Sequence, residues 1–375
     1  MSQIRGWCPD AWHPMAAGDG LLVRVRPPLG RMDGAQLLAL CEAALAHGNG
    51  LIDLTSRANL QIRGVGEQGW RLLLDRLVEI GLVHADPLME SRRALIVACD
   101  WQAEDDNAYI AAELLDRLAE LPDLPAKIGF TIDASIVPLL SGDAGDFRIE
   151  RGAHGGLILR ADGHPFGVAV TRGEAVDRLI ALAHWFVDSG GGKASRMARH
   201  GAPLPDWARG DIGPAAPASP LRPGNHAFGF AYGASFGQVE ASTLAQLAPH
   251  AVRLTPWRML IAESCDGAPI NGLLHDPADP LLRVDACPGQ SHCPQATVET
   301  RELARKLAPH ISGRLHVSGC AKGCARAAPA DLCLTGREGR YDLARHARAG
   351  SAPEQAGLIP SVLLAILGVP DAASL

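Results

Sequence analysis

Apolar positions change period twice within the first 65 residues. In "GDGLLVRVRP" (Gly18–Pro27) they alternate with basic ones, the two-residue repeat of a half-buried strand, and Leu21–Val25 is predicted as such. From about Asp33 to His47, "DGAQLLALCEAALAH" repeats its leucines and alanines at three- and four-residue steps behind an Asp suited to an N-cap, which predicts a helix. Alternation returns in "LIDLTSRANLQI", read as one strand over Leu51–Ile62. Further on, Ile110, Leu114 and Leu118 share a helical face. The run "KIGFTID" from Lys127 reads as a strand, and more strands follow among the Gly-rich turns of "SGDAGDF", "ERGAHGGLILRADG" and "PFGVAV". A helix is expected at Ala175–Asp188, leading into "SGGGKAS". From Gly201 to Asn225 the period disappears in Pro, Gly and Ala, a composition that reads as a linker.

The pattern also repeats. "LGRMDGAQLLAL" (Leu29–Leu40) aligns with "FGQVEASTLAQL" (Phe236–Leu247), and each precedes a segment containing Leu-Thr, at Leu54 and Leu254. "VACDWQ" (Val97–Gln102) aligns with "DACPGQ" (Asp285–Gln290), again followed by a helical pattern (Val298, Glu302 and Lys306 in the second copy) and a strand. The expected fold is α+β and internally duplicated, two halves related by a pseudo-twofold axis with a ligand at their seam. The expected organisation is a half-domain at 1–85, an α+β domain at 86–200, the linker at 201–225, a second half-domain at 226–282 and a second α+β domain at 283–375.

Composition narrows the class. At 47% apolar the 375-residue chain can build a large core, and a net charge of −6 argues against a general nucleic-acid binder. No apolar run reaches the ~18 residues of a membrane span. The richest, "GLIPSVLLAILGVP", is bounded by Pro360 and Pro370 and reads as a packed helix. The start, "MSQIRGWCPDAWHP", lacks a signal layout, so a cytoplasmic protein with reduced thiols is expected. There are 31 Arg against 4 Lys, a bias that coding composition can produce but that also favours bidentate carboxylate contacts.

Four of the nine cysteines fall in "ACPGQSHCPQ" (Ala286–Gln295) and "VSGCAKGCARA" (Val317–Ala327): Cys287, Cys293, Cys320 and Cys324. Four thiolates are the ligand set of a cubane iron–sulfur cluster or of structural zinc. Zinc ribbons favour C-x2-C pairs, whereas these are C-x5-C and C-x3-C, flanked by Gly289, Gly319 and Gly323 where backbone would pass a bulky group. The expectation is a 4Fe–4S cluster, with Cys293 opening a helix, Cys320 ending a strand and Cys324 on a tight loop. The first half has Cys99 at the matching place, Asp105 near the second position and Ile132 at the third, so only one cluster site is expected to survive. Of Cys8, Cys41, Cys99, Cys265 and Cys333, Cys41 and Cys333 read as core residues.

Spacing and context, "SGCxxGC" together with "LTSRANLQIRG" (Leu54–Gly64), resemble the sulfite and nitrite reductase superfamily. With "GDGLLVRVRP" and "LTPWR" (Leu254–Arg258), nearly the whole chain is most similar to its precorrin-3B synthase branch. The resemblance implies an oxygen-dependent monooxygenase of aerobic cobalamin biosynthesis. Such an enzyme hydroxylates precorrin-3A at C20 and closes a γ-lactone. NADH or NADPH would be the indirect reductant through a separate electron-donor protein, and a non-haem iron would stand beside the cluster. It implies that Arg57, Asn59 and Arg258 carry catalysis. Arg57, Gln61, Arg63, Arg92, Arg93, Lys127, Arg148 and Arg258 would bind the polyanionic substrate, with Arg57, Asn59, Gln61 and Arg63 on one strand face and Arg258 opposite Arg57 across the dyad. "SGGGKAS" would touch the tetrapyrrole rim.

The reductases carry two Lys spaced x-Phe-x after Pro-Arg. Around Phe147 this chain has Asp146 and Arg148 instead, which disfavours the alternative of a sirohaem-dependent sulfite or nitrite reductase. A non-catalytic tetrapyrrole-binding electron-transfer protein is the other alternative. For an iron, His13, His226, His275, His292 and His316 lie near the motifs, but no compact two-His-one-carboxylate set is visible.

Overall fold

The computed structural model describes residues 9–219, 221–290 and 292–369. Cys8 and the first residues, Pro220, Ser291 and residues 370–375, with the Pro370 boundary, lie outside them.

Among the described residues, four five-stranded sheets form the framework. The first runs β1 (Met15–Ala17), β2 (Gly20–Val25), β5 (Leu60–Val65), β4 (Leu51–Leu54) and β13 (Gln238–Glu240). Its copy runs β11 (Gly224–His226), β12 (Gly229–Gly233), β15 (Met259–Glu263), β14 (Val252–Leu254) and β3 (Arg31–Met32). In each, the last strand comes from the other half: Gln238 and Val239 pair with Asp53 and Ile52, while Met32 and Arg31 pair with Val252 and Arg253. The exchange covers what would be two open edges.

The other two sheets repeat one topology, parallel–parallel–antiparallel–antiparallel. One is β6 (Leu95–Val97), β7 (Phe130–Asp133), β8 (Phe147–Arg151), β9 (Leu157–Ala161) and β10 (Val168–Val170). The other is β16 (Val284–Ala286), β17 (Leu315–Ser318), β18 (Ala330–Arg337), β19 (Arg340–Ala347) and β20 (Gln355–Leu358).

Side-chain patterning explains the layers. The helix Gly34–His47 starts in a capping box, Asp33 accepting from the Gln36 amide at 2.8 Å and Gln36 returning the bond at 3.1 Å. Its Leu37, Leu40 and Cys41 enter a core that also holds Ile52, Leu60 and Ile62 of the first half and Val252, Leu254 and Leu260 of the second. The two half-domains therefore share one core. Each α+β domain has its own, around Phe130, Phe147 and Phe186 in the first and Val284, Leu315 and Leu334 in the second. The helix at Ala175–Asp188 lies where the pattern puts it.

The stretch read as a linker is tied down. Ala153 and Ala215 bond to Gly213 and Arg151 at 2.8 Å each, and bridges join Pro214 to Gly152 and Ile212 to Gly167. It runs along the first α+β domain because that sheet offers open backbone groups to it.

Strand register also corrects the second repeat. Val97 pairs with Ile132 as Ala286 pairs with Val317, and Ala98 N–H reaches Ile132 O as Cys287 N–H reaches Val317 O. The counterpart of Cys287 is thus Ala98, not Cys99, and that of Cys320 is Ser135, not Ile132. A one-residue slip would have turned the apolar face of the strand outward.

An ion-pair group locks the exchanged strand β3. Glu263 accepts from Arg31 Nε at 2.8 Å and Arg253 Nε at 2.6 Å. The Arg31 bonds, joined by those of Arg253, hold the Glu263 carboxyl down at about 2, against an ordinary 4.5. The depressed folded-state pKa means the stabilisation is complete above pH 4.5 and disappears as pH falls toward 2. Glu263→Gln is expected to cost roughly 1–2 kcal/mol at pH 7 after allowing for solvent screening. Urea unfolding at pH 7 and at pH 3 checks it, and the difference should shrink at the lower pH.

Candidate substrate and cluster site

The segment expected as one strand over Leu51–Ile62 is a hairpin. The Thr55 hydroxyl accepts the amides of Arg57 (3.3 Å) and Asn59 (3.2 Å), and Thr55 N–H bonds Asn59 O at 2.9 Å. A threonine that satisfies its own neighbours' amides interrupts the ladder. Ala58 at the tip takes φ +50°. Arg57 therefore stands at the turn, off the strand face of Gln61.

That turn opens on a pocket lined by Arg24, Arg26, Arg57, Asn59, Gly129 and Arg196, with Asp146 on its wall. Arg57 Nη2 donates to Lys127 O at 3.3 Å, and Arg196 donates to the same carbonyl. Arg196 pairs with Asp146 at 2.9 Å, and Asp146 accepts the amides of Gly129 (3.0 Å) and Met197 (2.9 Å). Burial pushes the Asp146 carboxyl up, against these bonds and the Arg196 charge. The "SGGGKAS" run turns at Gly190 (φ +90°) and Ser195 (φ +61°) and delivers Arg196, which sequence reasoning passed over although it follows that run directly.

The segment packed against Arg57 is Pro125–Gly129. A side chain at Gly129 would come within 3.9 Å of Arg57 Nη1. It reads Pro-Ala-Lys-Ile-Gly, so the exposed Lys127 adjoins the Arg57 turn on this strand-entry segment.

Other expected substrate residues have structural partners. Arg148, 2% exposed, bonds Glu150 and the carbonyls of Leu140 and Asp143 inside the domain. Arg63 is taken by Asp19 (2.9 Å) and Asp53 (2.8 Å). Arg93 binds Glu90 and Arg26 O, which braces Arg26 at the pocket, and Arg92 ties its helix to Leu118, Ala119 and Asp123. Gln61 lies opposite Arg24 in the β2–β5 ladder.

The turn repeats in the second half at Thr255–Met259, with Thr255 Oγ1 accepting Trp257 N–H at 3.3 Å and Arg258 at φ +58°. Trp257 is thus the counterpart of Arg57, and Arg258 that of Ala58. Instead of facing Arg57 across the dyad, Arg258 reaches Asp285 (2.7 Å) and Ala325 O (2.7 Å).

Ala325 adjoins the cysteine loops. Cys287 follows β16, and Cys320 lies two residues beyond β17. Cys293 sits in an irregular turn and opens no helix, since the next helix starts at Arg301. Burial mainly raises the Cys324 pKa, and Cys320, Cys287 and Cys293 lie near enough to add to it. The local backbone suits a bulky, anionic sulfur-ligated group. Gly319 N–H donates to Cys287 Sγ at 3.1 Å, a side chain at Gly319 would collide with Ala296 at 2.5 Å, and Gly289 and Gly323 take φ +81° and +62°. A cubane fits this donor set.

Among the described residues no three His, Cys, Asp or Glu side chains gather as a single metal ion would need. The five candidate histidines are scattered, with His275 exposed and His316 buried in β17. No step is derived through a separate iron. Where the second half has thiols, the first has a hydrogen-bond chain, Asn107 Nδ2 to Ser135 Oγ (3.0 Å) and Ser135 Oγ to Asp100 (2.7 Å).

Known proteins resemble the chain in sequence and in fold. Residues 13–80 match the nitrite/sulfite reductase ferredoxin-like half domain. A "Precorrin-3B synthase" of Sinorhizobium sp is 31% identical, over 94% of this chain and 85% of that protein. A "Ferredoxin--nitrite reductase" of Synechococcus elongatus is 24% identical, over 90% and 80%. In fold, the chain is similar to the Mycobacterium tuberculosis NirA protein, with a TM-score of 0.56 at 18% identity, covering 89% of this chain and 76% of that one.

Burial pushes the thiols of Cys41 and Cys99 up to about 12. In metal-free folded protein at pH 8, iodoacetamide should label the solvent-exposed Cys324 well before the buried Cys41 and Cys99, the raised pKa of Cys324 slowing but not blocking the reaction, as read by peptide mass spectrometry.

Proposed function

This chain belongs to the precorrin-3B synthase family, and from that premise we propose that it hydroxylates precorrin-3A at C20 with molecular oxygen and closes the γ-lactone of precorrin-3B. The near-full-length match to a precorrin-3B synthase carries the reading. Cys287, Cys293, Cys320 and Cys324 would hold a 4Fe–4S cluster, which when bound supplies electrons one at a time. NADH or NADPH would reach it indirectly, through a separate donor protein.

The chain's own groups bind and orient. A reduced tetrapyrrole is ringed by acetates and propionates, and Arg57, with Arg24, Arg26 and Arg196 around it, offers planar forks matched to carboxylates. Asp146 fixes Arg196, and Glu90, through Arg93 and directly, fixes Arg26, so the guanidiniums are set before substrate arrives. Asn59 lies behind Arg57, where its amide holds the turn. Lys127 is the nearby solvent-facing cation. Around Phe147 the chain has Asp146 and the internally bonded Arg148 where a lysine pair would clamp a small oxyanion. This favours a bulky macrocycle over sulfite or nitrite.

Mass spectrometry of the product formed under ¹⁸O₂ tests the reaction: one labelled atom is expected, and an unlabelled product of unchanged mass would sink the proposal. Arg57→Met should raise KM roughly 10- to 100-fold through loss of a charge-assisted bond. Replacing any of the four cysteines by Ala should abolish the broad visible absorption and the acid-labile sulfide of anaerobically purified protein, while Cys333→Ala keeps both.

A further inference from the structure

Residues that line the Arg57 pocket have register counterparts in the second half. Ile96 and Gly129 line that pocket, and strand register places Asp285 and Arg314 at their equivalents. Arg258 stands beside the equivalent of Arg57. There, three guanidiniums converge on one carboxylate: Arg258 at 2.7 Å, Arg314 at 3.1 Å and Arg326 at 3.4 Å from Asp285. Asp285 is 6% exposed, while the three arginine side chains are 25–39% exposed and have no other carboxylate partner among the described residues.

One negative charge therefore faces three positive ones, and several N–H donors are left over. The Arg258 backbone holds a left-handed conformation that costs a non-glycine residue energy, yet it aims the side chain here. Behind the group, His316 is fully buried on the strand beside Asp285, with Nε2 lacking any hydrogen-bond partner. Three guanidiniums gathered at one carboxylate repel one another, and an added anion would relieve that repulsion.

We propose that Arg258, Arg314 and Arg326 form a second anion-binding site, the twofold counterpart of the Arg57 pocket, which takes a carboxylate or similar oxyanion. The chemistry is the same for a free anion and for an acidic group on a macrocycle rim. It is independent of the reaction assigned above.

The test is equilibrium binding of two probes to the purified full chain at low ionic strength, inorganic sulfate by calorimetry and uroporphyrin by fluorescence. Arg314→Met/Arg326→Met, which leaves Asp285 paired with Arg258, should weaken at least one probe tenfold or more. Loss confined to sulfate marks a free-anion site, and loss of uroporphyrin marks a rim carboxylate. The Arg57→Met effect should add to it rather than overlap, as expected of separate sites. Arg337→Met, at an exposed ion pair with Asp342, should change neither. If both probes bind the double variant within twofold of wild type, the proposal is wrong. Should the double variant fold poorly, Arg314→Met alone, with the most exposed guanidinium of the three, is read the same way with a threefold threshold.

Discussion

Two short strands on the wrong side of the chain hold the molecule together. Arg31–Met32 completes the sheet of the second half, and Gln238–Glu240 completes that of the first. Everything chemical depends on this crossing. It merges the half-domains into one apolar core, and from there the two Thr-capped turns are directed at different targets, Arg57 at the pocket of the first α+β domain and Arg258 at the loops that carry the cysteines.

The copies have diverged mainly by charge. Asp53 and Arg63 pair across two strands of the first half, while at the matching places the second half has Arg253 and Glu263, the same bridge with its signs reversed. Gln238 donates to Asp53 at 2.7 Å, as Arg31 donates to Glu263. Arg301, which Gln238 also binds, connects this network toward Cys287, so the first half-domain's polar face reaches the cysteine side of the second half. In the other direction Arg253 reaches the Cys99 carbonyl at 3.0 Å.

Much of this was legible in the sequence where local pattern decides the outcome. The capped helix behind Asp33, the helix at Ala175–Asp188 and the duplicated topology all follow from periodicity. The cysteine spacing marked out Cys287, Cys293, Cys320 and Cys324, which the fold sets on the loops after β16 and β17. Legibility failed where partners are remote. A two-residue strand such as Arg31–Met32 has no period, and its pairing lies more than two hundred residues away. Arg57, Arg63, Arg93 and Arg148 are the same residue type in similar contexts. Asp19, Glu90 and Glu150, brought in by the fold, hold Arg63, Arg93 and Arg148 as ion pairs, whereas the fold sets Arg57 at the turn. The one-residue slip in the second repeat had the same origin, because "VACDWQ" and "DACPGQ" share a Cys while the ladders align a different residue.

The reciprocal exchange also speaks to ancestry. A single-lobe precursor with this topology would have lacked an edge strand of its own and left half of a core bare. It could have existed only as an obligate homodimer, each copy lending its partner the piece it lacked, and gene fusion would then have made an intermolecular embrace permanent. Once fused, the two copies no longer had to stay identical, which is how one lobe could keep its thiols while the other has Ala98 and Ser135 at the places of Cys287 and Cys320.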